Sequence, residues 1–230
     1  MGGLFDLVFP PRCAGCDHPG TLWCDTCRAA LPLIDPGMAC ARCGAPLRDA
    51  GHPCVECHGR VFAFSAARCA ARLEPPASRA VVALKDGGER RYAGVLAELL
   101  AASAEGWLAS GDVLVPAPAS PAAVRRRGFD HAADIARSLA ALTGNPTARL
   151  LRATASADQR ALGREERFAN RAGVFALESG VCMPVSVVLV DDVFTTGATS
   201  DAAARVLREA GAAEVRVLAV ARAVQRPGSA

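Results

Sequence analysis

Two adjacent carboxylates, Asp191 and Asp192, follow four apolar residues, Val187-Val188-Leu189-Val190. After them the chain reads Val193-Phe194-Thr195-Thr196-Gly197-Ala198-Thr199-Ser200. Paired acids can accept hydrogen bonds from paired hydroxyls, such as the 2′ and 3′ groups of a ribose. The hydroxyls of Thr195, Thr196, Thr199 and Ser200 are neutral donors that suit a phosphate. Gly197 has no Cβ and lets the backbone come close to a ligand. One short stretch could therefore hold a 5′-phosphate on its turn and a ribose on its acids. An ordinary strand-to-helix turn with a Thr cap is the plainer alternative.

The second concentration of chemistry is at the other end of the chain. Eight of the ten cysteines form four Cys-x-x-Cys pairs: Cys13/Cys16, Cys24/Cys27, Cys40/Cys43 and Cys54/Cys57. In a chain expected to be cytoplasmic, such spacing points to metal rather than disulfides. Two thiolates three positions apart span one edge of a Zn²⁺ tetrahedron, and two pairs complete it. Two structural zinc ions are the natural count; redox dithiols or an iron–sulfur site are the alternatives. Neighbouring pairs in sequence, or interleaved pairs, would both satisfy the metal. The spans Cys16 to Cys24 and Cys43 to Cys54 are short and hairpin-like, which favours the sequential arrangement. Gly44 and Gly59 suit the knuckle turns. His18, His52 and His58 are left outside the ligand sets. Cys69 and Cys182 stand alone and are expected to be small buried apolar residues.

The elements that must position these groups follow from periodicity. Val187–Val190 suits a strand buried on both faces of a parallel sheet, with the acids at its carboxyl end. Ligands of open parallel sheets bind at that end. An Ala-rich helical segment from the Thr-Thr-Gly turn to Gly211 would aim its N–H groups and positive dipole end at a phosphate. Further strands are expected within Val61–Leu73, at Asp112–Val115, at the edge Arg149–Ala153, at Gly173–Phe175 and at Glu214–Ala221. Helices are expected over Ser78–Leu84 and Tyr92–Ala102, then on a segment carrying Arg125-Arg126-Arg127, then on to about Leu142. Alternating strands and helices indicate a parallel α/β sheet. The expected division is a zinc-ribbon domain over 1–60 and an α/β domain over 61–230. The residues after Arg222 are expected to be a loose tail.

Composition narrows the class. The chain has 230 residues, half of them hydrophobic, and a net charge of +3. No apolar run reaches the roughly 18 residues of a spanning helix, so no membrane insertion is expected. No basic region followed by a long apolar core opens the chain, so a cytoplasmic location is expected. The net charge does not announce nucleic-acid binding by itself. Basic residues are nearly all Arg, so many are background, and Lys85 is the only lysine. A single Lys before the turn Asp86-Gly87-Gly88 fits a point charge on a diphosphate.

These pieces resemble the ComF family, a double zinc ribbon joined to a type I phosphoribosyltransferase-like domain. The resemblance rests on Phe9-Pro10-Pro11-Arg12-Cys13-x-x-Cys16, Leu84-Lys85-x-Gly87, Val115-Pro116-x-Pro118, Arg127-Gly128-Phe129, Arg152-x-Thr154 with Gln159, Arg167 with Asn170 and Phe175, and the acid–threonine loop. It covers nearly the whole chain. The family usually has Asn-Gln after Arg-Gly-Phe, where this chain has Asp130-His131, so a polar role at these positions is not carried over. The resemblance implies binding of 5-phosphoribosyl-1-diphosphate (PRPP), with Mg²⁺. It also implies handling of incoming single-stranded DNA in natural competence. On it, Asp191, Asp192, Thr195, Thr196, Gly197, Ala198 and Thr199 hold PRPP.

Three functions compete on these residues. A nucleic-acid-handling protein would put DNA phosphates or diphosphate on Lys85, Arg125, Arg126, Arg127, Arg164 and Arg167, with a helicase-type competence protein as partner. An active phosphoribosyltransferase would displace diphosphate from C1 of the ribose by positioning and electrostatics. No residue announces itself as the base for an acceptor, and the catalytic group is unknown. A regulator would bind PRPP without turnover.

Overall fold

The computed structural model describes residues 10–49, 53–154 and 173–224. At its centre is a parallel sheet of four strands in the order β1-β6-β5-β2. These are β1 (Ala66–Arg72), β2 (Val113–Pro116), β5 (Ser186–Phe194) and β6 (Glu214–Arg222). A separate antiparallel pair joins β3 (Leu151–Ala153) to β4 (Phe175–Leu177). Helix α1 (Asp25–Ala29) lies in the cysteine-rich segment. Helices α2 (Ala77–Lys85) and α3 (Tyr92–Ser103) connect β1 to β2. Helices α4 (Pro121–Arg127) and α5 (His131–Thr143) follow β2, and α6 (Ala198–Glu209) joins β5 to β6.

Strand β5 is apolar on both faces because both faces are covered. Val187 and Leu189 pack with Ala203 and Leu207 of α6, whereas Val188 and Val190 pack with Leu96, Ile135 and Leu139 of α3 and α5. The chain after β5 therefore crosses one face, and the chain after β2 crosses the other. The crevice between their carboxyl ends is a topological switch point, where open α/β sheets bind ligands.

The cysteine-rich segment docks on both faces of this sheet. Ala14 and Trp23 join the α3/α5 cluster, and Ile34, Cys43, Ala45 and Cys57 join the α6 cluster. Gly44 has φ 66°, and a Cβ there would come within 2.8 Å of the Cys69 sulfur on β1. The ribbons thus rest on the sheet and contribute to its cores.

Several expectations shift. The strand expected within Val61–Leu73 is confined to Ala66–Arg72. Strand β5 does not end at Val190; it runs through both acids to Phe194, paired with β6 as far as Arg222. Small partners opposite, Ala219 for Asp191 and Ala221 for Val193, let the ladder continue past the acids. Cys69 is buried as expected, but Cys182 is exposed, in the stretch before β5. The tail beyond Val224 lies outside the described residues.

At the amino end of the sheet, Asp112 clasps three elements. It accepts hydrogen bonds from Ser186 Oγ at 2.6 Å and from the Ala109 N–H at 2.7 Å, and pairs with Arg216 of β6. Burial pushes its pKa up, but the Ser186, Ala109 and Arg216 contacts outweigh this and hold it below the ordinary range. Replacing Asp112 by Ala takes from Arg216 its nearest carboxylate, leaving it Glu214 at 3.6 Å and the Trp107 ring, and should cost about 3 kcal/mol of stability. Because the folded pKa is depressed, the carboxylate stabilises above the unfolded value, about 3.9, and this is lost as pH falls below it. Urea melts of the wild type and Asp112→Ala at pH 7 and pH 3 check both statements; the gap between them should narrow at pH 3.

Candidate functional site

The acids at the end of β5 meet two basic side chains from different elements. Lys85, in the last turn of α2, places Nζ 2.7 Å from Oδ2 of Asp192. His131, the first residue of α5, places Nε2 3.4 Å from the same oxygen. Asp192 is buried, with 3% of its surface exposed. The other ring nitrogen, Nδ1, is 3.3 Å from an Arg127 guanidinium nitrogen, which can only donate. That assigns the proton to Nε2, so the ring donates to Asp192. Arg127 is in turn held by Asp86 at 3.4 Å. The chain Asp86–Arg127–His131–Asp192–Lys85 thus fixes one carboxylate from several sides.

The two acids are driven apart electrostatically. For Asp192, burial alone would raise the pKa, but the His131 hydrogen bond and the Lys85 charge hold it well below the carboxylate range. For Asp191, desolvation and the neighbouring Asp192 charge push the carboxyl well above that range. Asp191 Oδ1 accepts from the Asp192 N–H at 2.9 Å. The two carboxyl groups also meet side chain to side chain, and that contact adds to the rise at Asp191.

The Thr195-Thr196-Gly197 turn leads from β5 directly into α6. Gly197 is the N-cap of α6, with φ 82° and no side chain of its own, and the Thr196 hydroxyl oxygen accepts from the Ala198 N–H at 3.4 Å. The opening amides of a helix suit an anion. A Cβ on Gly197 would lie 2.7 Å from the Phe194 ring and 3.1 Å from Phe62, so only Gly fits there. Thr195 is exposed, Thr196 and Thr199 are half-buried, and Ala198 is buried at the first turn.

The arginines expected together are separated. On α4, Arg125 and Arg126 are exposed, but Arg127 turns inward and its side chain is 11% exposed. The i to i+2 spacing places Arg125 and Arg127 on different sides of the helix. Arg125 instead lines a cavity of about 320 Å³ with Arg149, Arg152, Asp130 and Glu178, floored by Pro116, Pro118 and Leu151. Arg164 and Arg167 lie outside the described residues, as do Gln159 and Asn170. Asp130 and His131 acquire roles that the family pattern did not supply. Asp130 accepts from the Ala133 N–H at 3.2 Å and caps α5, while His131 reaches Asp192. No local signal marks His131 in the sequence; only the fold brings it to the acid.

The cysteines close into two sets in sequential order, Cys13/Cys16/Cys24/Cys27 and Cys40/Cys43/Cys54/Cys57. Sulfur separations are 3.5 Å for Cys13–Cys24, 3.7 Å for Cys16–Cys24, 3.7 Å for Cys40–Cys57 and 3.6 Å for Cys43–Cys54. A tetrahedron with Zn–S bonds of about 2.3 Å has edges of about 3.8 Å, so both sets fit zinc. Desolvation pushes the Cys27 thiol up to about 12 and the Cys43 thiol up to about 11. A divalent cation is what allows such crowded thiols to ionise together. His18 and His58 are exposed and outside both sets.

Sheet topology and cysteine geometry together define a parallel α/β protein carrying a double zinc ribbon. Residues 4–58 match the double zinc ribbon domain family. The chain is 30% identical over 228 residues to the DNA utilization protein YhgH of Salmonella typhimurium, covering 94% of this chain and 99% of that one. It is 32% identical over 105 residues to the competence protein ComFC of Streptococcus pneumoniae, covering 46% of each. The chain belongs to the ComF family. Among solved structures it is similar to the allosteric regulatory enzyme of purine biosynthesis, with 24% identity and a TM-score of 0.39, over 56% of this chain and 26% of that one.

Proposed function

We propose that the chain binds PRPP at the end of β5 and handles single-stranded DNA in the cytoplasm beside that site; its relatives are named for DNA utilization and for competence. The observation that carries the reading is two adjacent carboxyl groups near the end of β5 followed at once by a helix that starts at Gly197, an N-cap with no side chain of its own. That arrangement fits a ribose-5-phosphate: vicinal hydroxyls on the acids, phosphate on Thr195–Thr199. Lys85 lies on the acid side, where it would face a diphosphate. Mg²⁺ binds through one or two carboxylates plus phosphate oxygens. Asp191, with no lysine within salt-bridge distance, is the carboxylate that fits it. Bound Mg²⁺ would neutralise diphosphate charge; the chain's own groups hold and orient the ribose.

The Arg125–Arg149–Arg152 cavity suits the DNA. Its cations fit phosphates, and its proline and leucine floor offers flat apolar contact to a base. Single-strand affinity should then fall with salt by about 0.7 log units per log unit of salt for each phosphate neutralised. Replacing Arg125 and Arg152 together by Ala should flatten that slope by about 1–1.5. An unchanged slope removes this cavity from the DNA path. Calorimetry with PRPP and Mg²⁺ tests the first half of the reading, and absence of binding overturns it. Assaying diphosphate release with nucleobases and with DNA then separates the modes. Release that requires an acceptor makes the chain a transferase; binding without release makes it a PRPP-responsive DNA-handling protein.

A further inference from the structure

We infer that Arg222 is a positioning residue for the phosphate loop, tying it to the second four-cysteine site; this rests on the PRPP reading above. Arg222 ends β6 and is 2% exposed, among the largest fully buried side chains. Its guanidinium lies between two parts of the chain distant in sequence. Toward the ribbon, Nε donates to the Cys43 carbonyl at 3.1 Å and a terminal nitrogen reaches Glu56 at 3.4 Å. Toward the loop, the other terminal nitrogen donates to the carbonyls of Thr195 at 2.7 Å and Phe194 at 3.4 Å, and to that of Ala223. The guanidinium carbon sits 5.0 Å from the Phe194 ring centroid.

A buried guanidinium requires compensating negative charge. Glu56, between the ligands Cys54 and Cys57, supplies one carboxylate. Four thiolates around Zn²⁺ carry a net charge of about −2, and such a centre is the natural remaining counter-charge. The metal-bearing knuckle therefore holds the arginine, and the arginine holds the loop. Chain beyond the knuckle reinforces the link. Arg60 donates to the Thr196 carbonyl at 3.1 Å, and the Ala63 N–H donates to Asp201 on α6 at 2.6 Å. The first four-cysteine site has a different attachment: Arg79 of α2 donates to the Gly15 carbonyl at 3.1 Å, away from the loop.

The test uses the full, zinc-loaded chain and reads amide hydrogen exchange over 195–200 together with PRPP–Mg²⁺ affinity. Arg222→Lys keeps the charge but cannot span both sets of carbonyls. Glu56→Gln removes the counter-charge and keeps the shape. Both should speed exchange in the loop and weaken PRPP by about tenfold, the lower end of what loss of outer-shell support costs a metal site. Arg79→Ala should leave both readouts unchanged. Should Arg222→Lys fail to fold, Glu56→Gln decides alone. Wild-type exchange and affinity in the folded variants overturn the inference. If the wild type binds no PRPP while the variants still speed loop exchange, the positioning role stands and the PRPP reading fails.

Discussion

Removing zinc from the full chain is expected to unfold residues 10–60, weaken the sheet, and leave the rest of the α/β core assembled. The segment has few apolar residues of its own, and metal binding worth about 10–16 kcal/mol per site is what makes such a segment fold. Elemental analysis should find two zinc ions per chain. The two tryptophans separate the parts. Trp23 is buried beside the first cysteine set, whereas Trp107 stacks on Arg68 and Arg216 at the far end of the sheet. In Trp107→Phe protein a strong chelator should red-shift the remaining emission. In Trp23→Phe protein the emission should hold, and the thermal midpoint should fall, because the ribbons lend Trp23, Ile34, Ala45 and Cys57 to the sheet's cores. One zinc per chain, or an iron–sulfur absorption band, would overturn the two-site assignment. A chelated chain whose Trp23 environment is unchanged would show that the segment folds without metal.

What the sequence made legible was local. Val187–Val190 announced a doubly covered strand because four consecutive apolar residues leave no face for solvent. The Cys-x-x-Cys spacing announced metal because tetrahedral geometry constrains it. The same reasoning could not see contacts made between distant segments. His131 sits at a helix start with no motif around it, and its partner lies on another strand. Arg222 appeared to be the last residue before a tail in an arginine-rich chain, yet it is wholly buried. Arg125, Arg126 and Arg127 formed one cluster in sequence, but helical geometry sends Arg127 to His131 and Arg125 to a different cavity. The strand outruns its apolar stretch for a related reason. Acids normally mark the exit of a buried strand, and only the small residues of β6 opposite allow β5 to continue.

Replacing both acids, Asp191→Asn with Asp192→Asn, should weaken PRPP binding by about 10²- to 10⁴-fold while the fold persists. Each carboxylate is expected to accept a ribose hydrogen bond, and a charged hydrogen bond is worth about 1.5–3 kcal/mol. The single variants should differ in their response to pH. Asp191 carries a carboxyl held above the ordinary range by desolvation and by the Asp192 charge. The ligand favours its ionised form, so wild-type affinity should be lost as pH falls through that raised value, earlier than for a carboxylate titrating near about 4. Asp192→Asn removes the neighbouring charge. The midpoint of the remaining pH dependence should then move to lower pH, although desolvation keeps it above the ordinary value. Asp191→Asn should abolish that step altogether, because Asp192 stays ionised beside Lys85 and His131. Calorimetric titrations of PRPP from pH 8 downward, in buffers of matched ionic strength, measure all three curves. Equal midpoints in wild type and Asp192→Asn would mean that the two acids do not share one site. Unchanged affinity in the double variant would remove the ribose from the end of β5.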